Sequence, residues 1–180
     1  MILNGTKIIL RKPHKSDAPY CYENLKNEVY NKMAMLPYPY TLEMAEQFIR
    51  KTQSTRRKGT DQIFTIEEKE TGRLVGMLGL HGLKNRHRHC EMGYWLAKGK
   101  WGLGYITEAI NLALKFAFKE LKLERVYANT LPHNKGSMKV LEKNGFKLEG
   151  VLRRHFKHRG RFVDAYYFGI LKSEFTELTK

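Results

Sequence analysis

Apolar residues recur along the chain with two periods, and the switches between them outline the elements. A short apolar run over residues 6–11 predicts a first strand. A helix is expected to begin near Ser16-Asp17, with Pro19 in its first turn, and to run towards Tyr30; Pro37 and Pro39 then break the chain. Thr41 suits the N-cap of a second helix through about Thr52, with Glu43 in its first turn. Residues 53–61 are polar and read as a connection. Strands at 63–66 and 74–80 flank the turn Glu70-Thr71-Gly72. A basic loop at 84–89 leads to a strand at 91–96. The clearest helix follows Gly104: Ile106, Ile110, Ala113, Ala117 and Leu121 share one face, and Glu108, Asn111, Lys115, Lys119 and Lys122 the other. A strand at 124–130 and a short helix at 134–143, stopped by Asn144-Gly145, come next. Two long antiparallel strands, 146–156 and 162–171, joined through residues 157–160, close the chain. The pattern is mixed α/β without repeats, and no seam divides it, so a single domain over residues 1–180 is expected.

Composition narrows the function classes. The chain has 180 residues, with 42% hydrophobic and 12% aromatic, which excludes a wholly disordered polymer. No apolar run approaches the roughly 20 residues of a membrane helix. Two cysteines, Cys21 and Cys90, give no disulfide framework, and no signal pattern opens the chain; a cytoplasmic setting is expected. Lys and Arg number 33 against 18 Asp and Glu, a net charge of +15, which favours anionic partners. Between Lys143 and Arg161 seven basic residues face one acid, Glu149. That stretch reads either as a solvated surface or as a face for a polyphosphate ligand or RNA.

Chemistry concentrates at Gly99-Lys100-Trp101-Gly102-Leu103-Gly104-Tyr105, which joins a strand to an amphipathic helix. Glycines let backbone approach a ligand, and the first-turn N–H groups then face it with the helix dipole behind them. The alternatives are a phosphate or pyrophosphate cradle and a plain tight turn. The loop matches neither the Walker pattern nor the full dinucleotide fingerprint, since position 107 is Thr.

Glu91-Met92-Gly93-Tyr94-Trp95-Leu96 followed by Trp101-Gly102-Leu103-Gly104-Tyr105-Ile106-Thr107-Glu108-Ala109 resembles the Gcn5-related N-acetyltransferase (GNAT) superfamily, within it the ribosomal-protein N-terminal alanine/serine acetyltransferases. Asn134-Lys135-Gly136-Ser137, then Leu141-Glu142-Lys143-Asn144-Gly145-Phe146, and the closing hairpin at 149–153 and 164–171 agree in order and spacing. The resemblance implies an α/β fold: a mixed, mostly antiparallel twisted sheet flanked by helices, its central parallel strands splayed around acetyl-CoA. It implies acetyl transfer from acetyl-CoA to a primary amine by direct attack, most naturally a protein N-terminal α-amine. Acetyl-CoA contacts would come from Tyr94, Trp95 and Leu96, from Lys100, Trp101, Gly102, Leu103, Gly104 and Tyr105, and from Asn134 and Ser137. The family's usual Arg or Gln at the head of the loop is Gly99 here, and Lys98 and Lys100 flank it as substitutes.

The same resemblance makes Glu91 the base that directs a water or the amine, and Ser137 the donor to the leaving thiolate. The residues alone leave alternatives open: Glu91 as half of an ion pair, Asn134 and Ser137 as helix caps. An α-amine with pKa about 7.7–8.0 is roughly a tenth neutral at pH 7, so it asks little of a base. His87, His89 and Cys90 are too compressed for a zinc site, and no metal is expected; His81 or His89 is an auxiliary base candidate. Competing functions are a small-molecule amine acetyltransferase (antibiotic, amino acid or polyamine), a basic RNA-binding module, and an acyl-CoA sensor. The charge disfavours a polycationic acceptor and equally a basic ribosomal tail, unless the acceptor groove is acidic or the enzyme docks on rRNA. Monomer and homodimer both stay open.

Overall fold

The computed structural model describes residues 1–26, 33, 36–158 and 160–177. Its strands are β1 (Leu3–Asn4), β2 (Ile8–Arg11), β3 (Asp61–Glu68), β4 (Leu74–His81), β5 (His89–Leu96), β6 (Arg125–Thr130), β7 (Lys147–His158) and β8 (Arg161–Leu171). The helices are α1 (Ala18–Leu25), α2 (Leu42–Lys58), α3 (Tyr105–Lys119) and α4 (Lys135–Lys143). All eight strands form one sheet in the order β1-β2-β3-β4-β5-β6-β8-β7. Every neighbouring pair is antiparallel except β5 and β6, which α3 joins.

That parallel pair positions the site. It is laddered only from His89↔Arg125 to Glu91↔Tyr127. Beyond Glu91, β5 stays with β4 to Leu96, and β6 stays with β8 to Thr130. The sheet therefore splits into a wedge at its centre, the splay the resemblance implies.

Alternation along β5 sorts the core into two layers. Cys90, Met92 and Leu96 are buried with Phe64 and Leu78 beneath the apolar stripe of α3 and Met138 and Leu141 of α4. On the opposite face Ile63, Met77 and Trp95 pack against Ala18, Cys21 and Leu25 of α1 and Ala45 and Ile49 of α2. Each fully buried Leu or Ile stabilises the fold by about 1.5–3 kcal/mol, so the two layers anchor the sheet on both faces.

Several boundaries differ from the sequence reading. Residues 53–58 are helical, because α2 continues to Lys58 and ends on left-handed Gly59 (φ 70°). There Gly59 N–H donates to Arg56 O, and Thr60 N–H to Thr55 O at 3.0 Å. Arg56, Arg57 and Lys58 complement the negative end of the helix dipole. The first strand, expected over 6–11, covers only Ile8–Arg11, and an unexpected two-residue strand, β1, precedes it; between them the Glu108 carboxylate accepts from the N–H groups of Thr6 and Lys7. The first helix ends at Leu25, with Lys26 as its C-cap; its expected continuation over 27–30 lies outside the described residues. His89, expected in the loop, opens β5. Among the described residues no helix is long and apolar enough to cross a membrane.

Two buried carboxylates tie the elements together. Arg11 donates to both oxygens of Asp17 at 2.9 Å, and Asp17 also accepts from His14 N–H and the Thr65 hydroxyl. Burial pushes the Asp17 carboxyl up, but these donors outweigh it and leave the group below its ordinary value. Glu68 accepts from Lys100, Tyr105 and Thr71, which together hold it down to about 2. A carboxylate held low in the fold stabilises it fully above its ordinary pKa and stops doing so as pH falls through its folded value. Stability from this pair should therefore be complete above about pH 4.5 and decline between there and about pH 2. Melting temperature followed against pH should show that decline, and Asp17→Asn and Glu68→Gln should each flatten it while lowering stability at pH 7.

Candidate active site

A cavity of about 770 Å³ occupies the wedge. Residues from both faces of β5 line it: Glu91, Gly93 and Trp95 from the α1–α2 side, and Met92 and Tyr94 from the α3–α4 side. Among the described lining residues Glu91 is the sole carboxylate.

Glu91 is the last β5 residue paired to β6. Across the opening, Asn129 Nδ2 donates to Glu91 Oε1 at 2.6 Å. Asn129 lies two residues past Tyr127, the β6 partner of Glu91, and so on the same sheet face. This contact fixes one carboxylate oxygen; the expected alternative, an Arg or Lys ion pair, is not the contact the carboxylate makes with Asn129. On the other flank His81 is the β4 partner of Glu91 and Asp61 the β3 partner of His81, a row across three strands. His81 Nδ1 is 3.5 Å from Asp61 Oδ1. Gly79 and Gly93 face each other in register, and a Cβ on Gly79 would lie 2.5 Å from His81 Nε2, so the imidazole uses space that only glycine leaves. Burial, with the Glu91 charge second, raises the phenols of Tyr127 and Tyr167 and pushes the Cys90 thiol up to about 12. Cys90 is thus a protonated core residue at neutral pH.

Ser137 approaches from α4, and its Oγ is 2.8 Å from the Tyr94 hydroxyl. Burial raises the Tyr94 phenol well above its ordinary value, so it stays protonated. Asn134 is the N-cap of α4, its Oδ1 accepting from Ser137 N–H at 3.2 Å. Capping and a cavity position coexist, since both residues line the wall. Thr130 Oγ1, at the end of β6 in the same wall, is buried without a hydrogen-bond partner.

The glycine loop lies outside this cavity, at the start of α3. Gly102 and Gly104 adopt φ of 77° and 84°, the left-handed region that favours glycine. Gly104 offers α3 no side-chain cap, so the first-turn N–H groups are available to an anion. Trp101 and Leu103 are half exposed, and the Trp101 indole donates to Leu96 O at 2.8 Å. Of the two lysines considered for the missing loop side chain, Lys100 directs its ammonium to Glu68 at 2.7 Å, and Lys98 is exposed. Lys100 therefore clamps the loop to the end of β3. Lys100→Ala should loosen that anchor and weaken binding of a pyrophosphate ligand, read by titration calorimetry alongside Glu68→Gln.

The wedge thus offers an extended channel with unladdered β5 backbone on one side and an unpartnered hydroxyl on the other. It holds an anchored carboxylate and a hydroxyl pair, and the uncapped start of α3 lies beyond it. Among the described residues no three His, Cys, Asp or Glu gather as a metal site. Sequence reasoning missed Asn129, whose role depends on parallel register, and the pairing of the Tyr94 hydroxyl with Ser137, since the resemblance implies Tyr94 only as an acetyl-CoA contact.

The family described as the acetyltransferase (GNAT) domain matches residues 7–147. An uncharacterized N-acetyltransferase of Bacillus licheniformis, p20, is 31% identical over 94% of this chain and 95% of its own. The "Putative ribosomal N-acetyltransferase YdaF" of Bacillus subtilis is 40% identical over 57% of this chain and 56% of its own. A spermidine N(1)-acetyltransferase of Vibrio cholerae is 30% identical over 62% and 64%. Among solved structures, RimJ of Mycobacterium smegmatis in complex with CoA-disulfide superposes with a TM-score of 0.84 at 25% identity, covering 96% of this chain and 85% of that one.

Proposed function

We propose that this chain, which belongs to the GNAT acetyltransferase family, acetylates the N-terminal α-amine of a protein. The observation that carries the choice of acceptor is the lone carboxylate in the described cavity wall. One carboxylate suits one ammonium group. A polyamine carries several charges, needs several acids, and meets long-range repulsion from a chain of net charge +15.

Acetyl-CoA, the acetyl donor of the family, fits the groups present: the uncapped start of α3 for its pyrophosphate, the open edge of β5 and the unpartnered Thr130 hydroxyl for its amide arm. Glu91, oriented by Asn129, takes the proton from the acceptor ammonium directly or through one water. The freed nitrogen attacks the acetyl carbonyl carbon, a C–N bond forms, and the C–S bond breaks. The hydroxyl pair of Ser137 and Tyr94 relays to the departing sulfur the second proton, which the nitrogen gives up as the amide forms, so both hydroxyls end the step protonated. For a ribosomal acceptor the exposed Arg153, Arg154, Lys157 and Arg161 would face rRNA, reconciling the positive charge with a basic protein tail.

Thiol release from acetyl-CoA tests the reading. A short peptide with a free N-terminus should give turnover, and the same peptide with a blocked N-terminus and spermidine should give little. Turnover with spermidine alone would replace the protein acceptor by a small-molecule amine.

A further inference from the structure

We infer that the apolar side of the cavity selects the acceptor's first side chain, and that it takes a bulky, flexible apolar residue (Met, Leu or Phe) in preference to Ala or Ser. The inference rests on the α-amine reading above. Leu25 of α1, Tyr40, Met44 and Phe48 of α2 and its approach, Ile63 of β3 and Met77 of β4 all line the cavity. Of these, Leu25, Tyr40, Ile63 and Met77 belong to the apolar layer on the α1–α2 face of the sheet. Alternation puts Glu91, Gly93 and Trp95 on that same face, whereas Tyr94 belongs to the opposite layer, with α4 and Ser137. An amine held at Glu91 therefore projects its attached side chain along the face these apolar residues line, away from the hydroxyl pair.

The wall is shaped for size. Ala or Ser would leave its apolar surface in water, and Met, Leu or Phe would cover it. Met44 and Met77, from two different elements, carry unbranched thioethers that adapt to several apolar shapes. Charged first residues gain nothing: the carboxylate is engaged by the amine, and Lys51 on the same wall repels a second cation.

Five peptides identical beyond their first residue test this: free-amine Met, Leu, Ala and Ser forms, and an acetyl-blocked Met form. A single methylene in an apolar pocket changes kcat/KM by about 10–200-fold, so Met and Leu should exceed Ala and Ser at least tenfold. Phe48 is 38% exposed at the rim, so Phe48→Ala should fold. It should cut the Met and Leu rates several-fold, chiefly through KM, and leave Ala and Ser unchanged; Met44→Ala should do the same. Ala or Ser turned over as well as Met would overturn the inference and leave the α-amine reading standing. A preference for Met untouched by both variants would also overturn it, since selection would then lie elsewhere. Turnover of no free-amine peptide would overturn the α-amine reading and this inference with it.

Discussion

Glu91→Gln should lower kcat/KM for a peptide amine at pH 7 by about 10²-fold, the lower end of what general-base catalysis contributes, since an α-amine asks little of a base. The substitution is nearly isosteric, and a glutamine oxygen can still accept from Asn129, so melting temperature and CoA affinity should stay at wild-type values. What disappears is the proton acceptor. The variant's rate should then follow the neutral fraction of the amine itself and climb with pH through about 7.7–8.0. A folded variant with wild-type kcat at pH 7 would remove Glu91 from the chemistry. Asn129→Ala belongs to the same experiment: it leaves the carboxylate in place but unoriented, so a smaller loss in kcat is expected, with KM little changed.

Ser137→Ala should cost about 10²-fold in kcat, the lower end of what an acid catalyst supplies, because the thiolate then leaves without a positioned donor. Tyr94→Phe should cost less, since Ser137 keeps its place at the start of α4 and loses only its 2.8 Å hydroxyl partner. The double variant should be scarcely slower than Ser137→Ala alone, as residues that act as one unit do not lose activity additively. An additive double variant would mean that the two hydroxyls serve separate roles. Single-turnover measurements at saturating acetyl-CoA separate these losses from weaker donor binding.

The layered fold was legible because its signals are local. The stripe of α3, the turn at Glu70-Thr71-Gly72 and the stop at Asn144-Gly145 each lie within a few residues of the structure they specify. The end of α2 was misread because Gln53, Ser54 and Thr55 carry no apolar stripe. Its better signal was the basic triplet 56–58 followed by glycine. At the site, Glu91 was legible through the family resemblance, on the strand before the glycine loop. Its anchor was not: Asn129 reaches it only because β5 and β6 run parallel and part after Glu91↔Tyr127, and register is a property of the sheet. The direction of Lys100 was hidden for the same reason, since Glu68 lies on another strand. Gly79 and Gly93 fall within the strands expected at 74–80 and 91–96, but only the pairing of those strands shows that they face each other and leave room for the His81 ring.

The central claim is that one carboxylate serves one α-amine, and the regiochemistry of the product tests it most directly. A peptide carrying both a free N-terminus and an internal lysine is incubated with the enzyme and acetyl-CoA, and the product is mapped by fragment mass spectrometry. A single acetyl group on the α-nitrogen, formed far more slowly when Glu91→Gln replaces the wild-type enzyme at pH 7, is the predicted result. Acetyl on the lysine side chain, or an unmodified peptide beside rapid acetylation of spermidine, would contradict it.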